Sequence, residues 1–313
     1  MKIGIDKSAL TLYHIKVIKR LRNKRKGEEE MRNNITKLIL IMLILAFGVV
    51  SLAGCSNQTA NQAPSQTSNQ EETSAGEDSF EKIKERGYVI MGLDDTFAPM
   101  GFRDENNEIV GFDVDLAKEV FNRNDLELVL QPIDWTMKEA ELNAGNIDMI
   151  WNGYTITAER REKVAFSKPY LKNRQIIITL ADSDINSKAD LEGKKVAAQA
   201  GSTAVDAMYT EPDVVATFDG GEPVLFDTNN EAFMDLEAGR SDAVVADEVL
   251  ARYYIKLKGE EKYKVLSEDF GDEEYGIGFR KQDKKLLELV DSTLDAMRKD
   301  GTFDAIYNKW FAD

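Results

Sequence analysis

"IDMIWNGYTITAERREKVAFSKPY", residues 147–170, decides how this chain is read. The run IDMIW has the length and apolar character of a buried strand. Gly153, Thr155 and Thr157 follow, and then a helical segment with Arg160 and Arg161 in its first turns. A cation is unfavourable at a helix N-terminus, where unpaired backbone N–H groups already carry partial positive charge. An arginine placed there implies an anion opposite it.

The same grammar runs outward in both directions. YVIMGL (88–93), LELVLQPI (126–133), RQIIITL, KKVAAQ, DAVVA and YGIGFR read as strands. Between them lie helix-period segments. GFDVDLAKEVFNR puts Phe112, Leu116, Val120 and Phe121 on one face, and TMKEAELNAG ends at Gly145. GSTAVDAMY, NNEAFMDLEAG, DEVLARYYIKLKG, KKLLELVDSTLDAMRKDG and TFDAIYNKWF complete the set. Alternating strands and helices predict α/β structure with largely parallel sheets. The helix–strand–glycine turn–helix pattern occurs around 140–163 and again around 232–258, which predicts two similar lobes.

Ahead of this folded part the composition changes twice. Residues 1–30 are basic and hold the only histidine, His14; Met31 reads as the start of the native product, with 1–30 dispensable to it. MRNNITKLILIMLILAFGVVSLAG (31–54) has the layout of a secretory signal peptide: a basic start, an apolar stretch and a small-residue exit. LAGC (52–55) resembles the bacterial lipobox, which makes Cys55, the only cysteine, the expected lipid attachment site. Residues 56–79 contain no Val, Ile, Leu or aromatic residue and read with Cys55 as a flexible tether (55–79), about 25–30 Å in random-coil span. Of 40 Lys and Arg and 56 Asp and Glu, 11 and 4 precede Cys55, so the chain from there on carries −23. That sign argues against a nucleic-acid partner. The folded part has neither His nor Cys, which excludes histidine triads, thiol nucleophiles and the usual zinc sites. No catalytic residue, metal or cofactor is expected.

Ligands of open α/β sheets gather at strand carboxyl ends near helix N-termini. Three such places carry chemistry here. Asn152, Gly153 and Thr155 precede Arg160, whose planar fork matches a carboxylate. Gly201, Ser202 and Thr203 follow VAAQ and offer an N–H nest for an anion. Asp247 ends AVVA as an acceptor fit for an ammonium group. Together they suit a zwitterion, an α-amino acid above all. Each residue also has a plainer role open to it: Thr157 and Asp247 as helix caps, Arg160 as the surface partner of Glu162 or another nearby carboxylate, Gly201 as an ordinary turn.

GFDVDLAKEV, NGYTITAERREKVAFSKPY, LEGKKVAAQAGST, DLEAGRSDAVVAD and MRKDGTFDAIYNKWF, in that order and spacing, resemble the family 3 bacterial solute-binding proteins, which serve ABC importers of polar amino acids. The resemblance implies a two-lobed, type II periplasmic-binding-protein-like α/β fold with two hinge strands and a ligand cleft between lobes. It places lobe 1 at 80–172 plus 276–313 and lobe 2 at 175–271. It puts the carboxylate clamp on Arg160, helped by Thr155 and the Ser202–Thr203 turn, and the ammonium acceptor on Asp247. Asp94 would lie near the ligand's side chain or amine, with Phe97 and Trp135 as aromatic walls that could equally be plain core. The sequence departs from the family pattern at Asn152, Tyr154, Met100–Gly101 and Phe121, all around the side-chain pocket. Asp94, Asp113 and Gln199 lean toward a basic amino acid or glutamine, with cystine also open. The implied role is a monomeric, lipid-anchored receptor on the outer face of the cell membrane that delivers its ligand to an ABC permease. A dehydratase-like enzyme or a surface adhesin on the same fold are the alternatives.

Overall fold

The computed structural model describes residues 78–312. The leading stretch to residue 30, the expected signal peptide, Cys55 and the tether as far as residue 77 lie outside the described residues. Helix α1 (Phe80–Arg86) ends on Gly87, whose φ of 79° is the left-handed cap that glycine supplies without a Cβ clash. The chain then enters β1 (Tyr88–Leu93), the small antiparallel sheet β2 (Thr96–Phe97), β3 (Gly101–Arg103) and β4 (Ile109–Val110), and helix α2 (Phe112–Asn122). Next come β5 (Glu127–Pro132), a 3₁₀ turn (Trp135–Met137), α3 (Lys138–Ala144), β6 (Met149–Thr155), α4 (Ala158–Lys163), β7 (Ala165–Phe166) and β8 (Leu171–Leu180). A second block follows: β9 (Val196–Gln199), α5 (Thr203–Tyr209), α6 (Pro212–Val215), β10 (Val224–Phe226), α7 (Asn229–Glu237), β11 (Ala243–Asp247) and α8 (Glu248–Lys258). The chain returns through β12 (Tyr263–Phe279) to α9 (Lys284–Asp300) and α10 (Thr302–Phe311).

One sheet holds nine strands, ordered β10-β9-β11-β8-β12-β6-β1-β5, with β7 attached to β12. Strand β1 pairs parallel with β5 and β6, and β9 pairs parallel with β10 and β11. The expected parallel pairing therefore holds within each half. It fails at the seam, where β8 runs antiparallel to β11 and β12 antiparallel to β6 and β8. The cause is connectivity. Strands β8 and β12 carry the chain out to the second half and back again, so they must run in opposite directions. Their pairing extends from Tyr263↔Leu180 to Tyr275↔Leu171, with register shifts between Val265 and Asp272. The strand expected to stop at Trp151 continues to Thr155, because β6 lies between β1 and β12 and all seven of its residues are buried.

One hydrophobic cluster runs through both halves, from Phe112 and Val120 in the first to Phe233 and Leu250 in the second. In the first, the expected face of α2 is buried, Phe112, Leu116, Val120 and Phe121 all fully so. The returning helices α9 and α10 cover that face, with Phe303 and Phe311 edge-on to Phe112 at 5.9 and 5.0 Å. In the second half, Val196, Ala198, Val245, Met208 and Phe218 form a separate cluster. Each large side chain so buried contributes about 1.5–3 kcal/mol. The return of the chain is fixed by Arg280, which donates to Asp148 at 3.1 Å and to the Leu142 and Ile147 carbonyls, and forms an ion pair with Asp283 at 2.6 Å. The carboxyl ends of β1 and β6 thereby face those of β9 and β11.

Candidate ligand cleft between the two halves

Arg160 is the centre of this meeting. Thr157 caps α4 as its sequence position suggests, its hydroxyl accepting from the Arg160 backbone N–H at 3.0 Å. The Arg160 side chain does not lie on the surface beside Glu162. It is 5% exposed, lies 4.6 Å over the Tyr154 ring, and donates Nη1 to the Thr155 carbonyl at 3.0 Å and Nη2 to the Gly201 carbonyl at 3.3 Å. Among the described residues it forms no ion pair with a carboxylate. A buried guanidinium has five donors, and carbonyls satisfy only part of its charge.

Lys138, which the sequence reading missed, joins it. Its ammonium donates to the Trp135 and Gly201 carbonyls at 2.9 and 3.0 Å and sits 5.0 Å over the Trp135 ring. Burial, and then the neighbouring Arg160 charge, lower its pKa to about 8. The carboxylate beside it, Glu139, lies 3.6 Å away and accepts from the Tyr154 hydroxyl. Two buried cations thus converge on one carbonyl of the opposite half. Gly201 can occupy that turn because its φ is 69° and its backbone passes close to Thr136.

Negative groups gather on the other side. Asp247 starts α8 but its side chain does not cap the helix. Its Oδ1 accepts from Asn173 Nδ2 at 2.7 Å and from the Tyr275 hydroxyl at 2.5 Å. Burial, and then the charge of Glu273, push its pKa well above the usual carboxylate range. Asp94 is 6% exposed; its Oδ1 accepts from Thr96, and its Oδ2 accepts from Gln199 Nε2 of the other half at 2.7 Å. Burial raises its pKa too. Asn229 holds the Gln199 oxygen at 2.9 Å, which fixes the amide's orientation.

The remaining expected residues fall around these groups. Asn152 accepts from the Asp94 backbone N–H at 3.1 Å. Thr155 and Thr203 face each other across the halves at 3.1 Å. Ser202 bonds back to the Gln199 carbonyl at 2.8 Å, so its hydroxyl serves its own turn. Gly153, at φ 56°, lets Phe97 approach so closely that a Cβ there would lie 2.7 Å from the ring. Trp135 is 8% exposed and stands edge-on to Tyr154 at 5.9 Å. It enters the group through Lys138 rather than through Phe97, with which it shares no ring contact among the described residues. Cys55 lies outside the described residues.

The hinge residues Asn173, Gln175, Glu273 and Tyr275 also went unread. A signal was present. In LKNRQIII the polar residues Asn173 and Gln175 occupy the inward phase of a strand, at i and i+2, and both are buried.

Two α/β halves joined by two antiparallel strands, with cations and carboxylates facing each other across the joint, define a two-lobed solute-binding protein of the type II periplasmic-binding-protein class. The chain belongs to the bacterial extracellular solute-binding proteins, family 3, whose pattern it matches over residues 89–313. That is a family of binding proteins and not of enzymes. The L-cystine-binding protein TcyJ of Escherichia coli (strain K12) is 31% identical over 239 residues, covering 76% of this chain and 87% of that protein. The glutamine-binding protein of Geobacillus stearothermophilus is 33% identical over 261 residues, covering 82% and 96%. Among solved structures, an ABC uptake transporter substrate-binding protein from Streptococcus pneumoniae with bound histidine superposes with a TM-score of 0.74. It is 39% identical and covers 75% of this chain and 97% of that one.

Proposed function

We propose that this protein captures a polar L-amino acid in the cleft and presents it, closed, to an ABC permease. The observation that carries the reading is Arg160, a buried guanidinium that no carboxylate among the described residues reaches as an ion pair, together with the buried acid Asp247 at the carboxyl end of β11 in the other half. A ligand carboxylate completes the charge of the first, and a ligand ammonium that of the second. Phe97 and Trp135 wall the side chain, and Asp94 with Gln199 reads its tip. A carboxyl in a desolvated site, Asp94, held across the cleft by the Gln199 amide, favours a basic side chain, with glutamine next. The histidine complex of the pneumococcal relative supports the same class, and the cystine- and glutamine-binding relatives keep those ligands in the series.

The lobes that move in this reading are 80–172 with 276–313, and 175–271. Closure and recognition are one event, since Gln199 meets Asp94, and Thr203 meets Thr155, only when the halves are together. The chain acts as a monomer tethered to the outer membrane face through a lipid on Cys55. A thermal-shift panel of the twenty L-amino acids plus ornithine and cystine tests the reading. Arginine, lysine, ornithine or histidine is expected to give the largest rise in melting temperature. A panel with no response at millimolar concentration removes the amino-acid receptor and leaves the adhesin.

A further inference from the structure

Beneath the cleft, the hinge strands hold an acid that no part of the reading so far uses. Glu273 lies on β12 directly opposite Asn173 on β8. Its Oε1 accepts three hydrogen bonds, from Thr155 Oγ1 at 2.9 Å, Asn173 Nδ2 at 2.6 Å and Gln175 Nε2 at 2.9 Å. The Asn173 amide that reaches it also reaches Asp247 at 2.7 Å. The same Asn173 amide therefore touches both carboxyls, which also lie close enough to interact directly, and neither has a basic side chain as an ion-pair partner among the described residues. A second, independent feature points the same way. Gln175 is 1% exposed, both neighbours of its amide nitrogen are acceptors, and its oxygen Oε1 has no donor at all. Flipping the amide does not cure this, because it would set the oxygen against Glu273.

The geometry points to Glu273 and Gln175 as readers of the ligand's ammonium group, acting beside Asp247 from the floor of the hinge. The inference rests on the amino-acid reading above and deepens it. A primary ammonium carries three protons, and this floor offers it two carboxylates and a carbonyl oxygen that lacks a donor. The cation lifts the repulsion between the two acids and satisfies the orphaned oxygen. Such a site discriminates strongly against ligands without a protonated amine, and it makes binding release protons. The groups facing Asp247 are Glu273 and Tyr275 on β12 and Asn173 on β8. Next to it in sequence, Glu248 on α8 is bound to Arg174, which also reaches Asp269. Arg160 and Lys138 sit on the Gly201 carbonyl instead.

The test is calorimetric titration of the full chain with L-arginine, L-histidine, L-glutamine and L-cystine, and with des-amino arginine and des-amino histidine. Phosphate and Bis-Tris buffers at pH 6 separate the heat of proton release. For the tightest of the four amino acids, Glu273→Gln is expected to weaken binding at least tenfold and to reduce the protons released. Glu273→Asp should restore part of both. The des-amino analogues should bind parent and variant alike. If Glu273→Gln leaves both affinity and proton release unchanged, or weakens amino acid and des-amino analogue equally, Glu273 is only a hinge residue and the inference falls. If the parent chain binds none of the four, the amino-acid reading itself has failed, and this inference goes with it.

Discussion

Replacing Arg160 by alanine is the most direct perturbation of the cleft. The parent side chain is 5% exposed and holds the Gly201 carbonyl of the opposite half at 3.3 Å. Two losses follow. A carboxylate ligand would enter a desolvated site with its charge unmatched, and truncating one partner of such a pair costs about 2–5 kcal/mol. The bond between the halves also goes, worth about 1 kcal/mol and felt only in the closed form. Together these come to about 3–6 kcal/mol, so the dissociation constant should rise about 150-fold at the lower limit and about 25,000-fold at the upper. Arg160→Lys keeps the charge without the planar fork and should fall between parent and alanine variant. The assay is isothermal titration at pH 7.5 with the amino acid that gives the largest thermal shift. Melting curves should show the variant folded, with a modest loss from the Thr155 carbonyl left without its donor. A variant that melts like the parent and binds within threefold of it would refute the clamp.

Asp113 supplies a pH test. It is fully buried and accepts from the Gly153 N–H and the Tyr170 hydroxyl, each at 2.8 Å, and burial pushes its pKa up to about 7. Between the unfolded value of 3.8 and about 7 the folded state binds more protons, so this group favours folding at low pH and opposes it as pH rises. The parent should therefore gain about 3 kcal/mol relative to Asp113→Asn between pH 7.5 and 4.5, read from urea melts. A constant difference across that range removes the assignment. Gly153→Ala forces a left-handed φ on a residue with a Cβ and drives that Cβ into Phe97; a stability loss of about 1–3 kcal/mol and weaker binding are expected, and an unchanged melt would contradict the contact. Cys55→Ser should shift the protein from the membrane fraction to the medium, and retention in the membrane would show that another segment anchors it.

Local signals carried most of the architecture. YVIMGL became β1 residue for residue, and Thr157 capped its helix as its position before Ala158 implies. Both depend on neighbours within a few residues. SEDFGDEE, by contrast, is rich in charge and has the look of a loop, yet it lies within the 17-residue β12. Its strand form is imposed by pairing with β8, about ninety residues earlier in sequence, and by the bulges that accommodate its exposed residues. Glu273 was hidden for that reason. Lys138 was hidden for another: in a helix period it looks like a solvated lysine, and only the approach of Gly201 buries it. NGYTITAERREKVAFSKPY and its companion motifs already marked the family, which the match over residues 89–313 bears out.

The crossing of β8 and β12 has a consequence for the birth of the molecule. The sheet that contains β1, β5 and β6 is completed by the last residues of β12, and the Phe112 face of α2 is covered by α9 and α10. All of these leave the ribosome after the second half has been made. The second half, inserted between, has its whole cluster translated while the first still shows bare aromatic surface to its surroundings. A nascent chain of this topology must be kept from sticking to its neighbours until about its final forty residues have emerged, so its vulnerability during synthesis is set by chain order rather than by the strength of the finished fold.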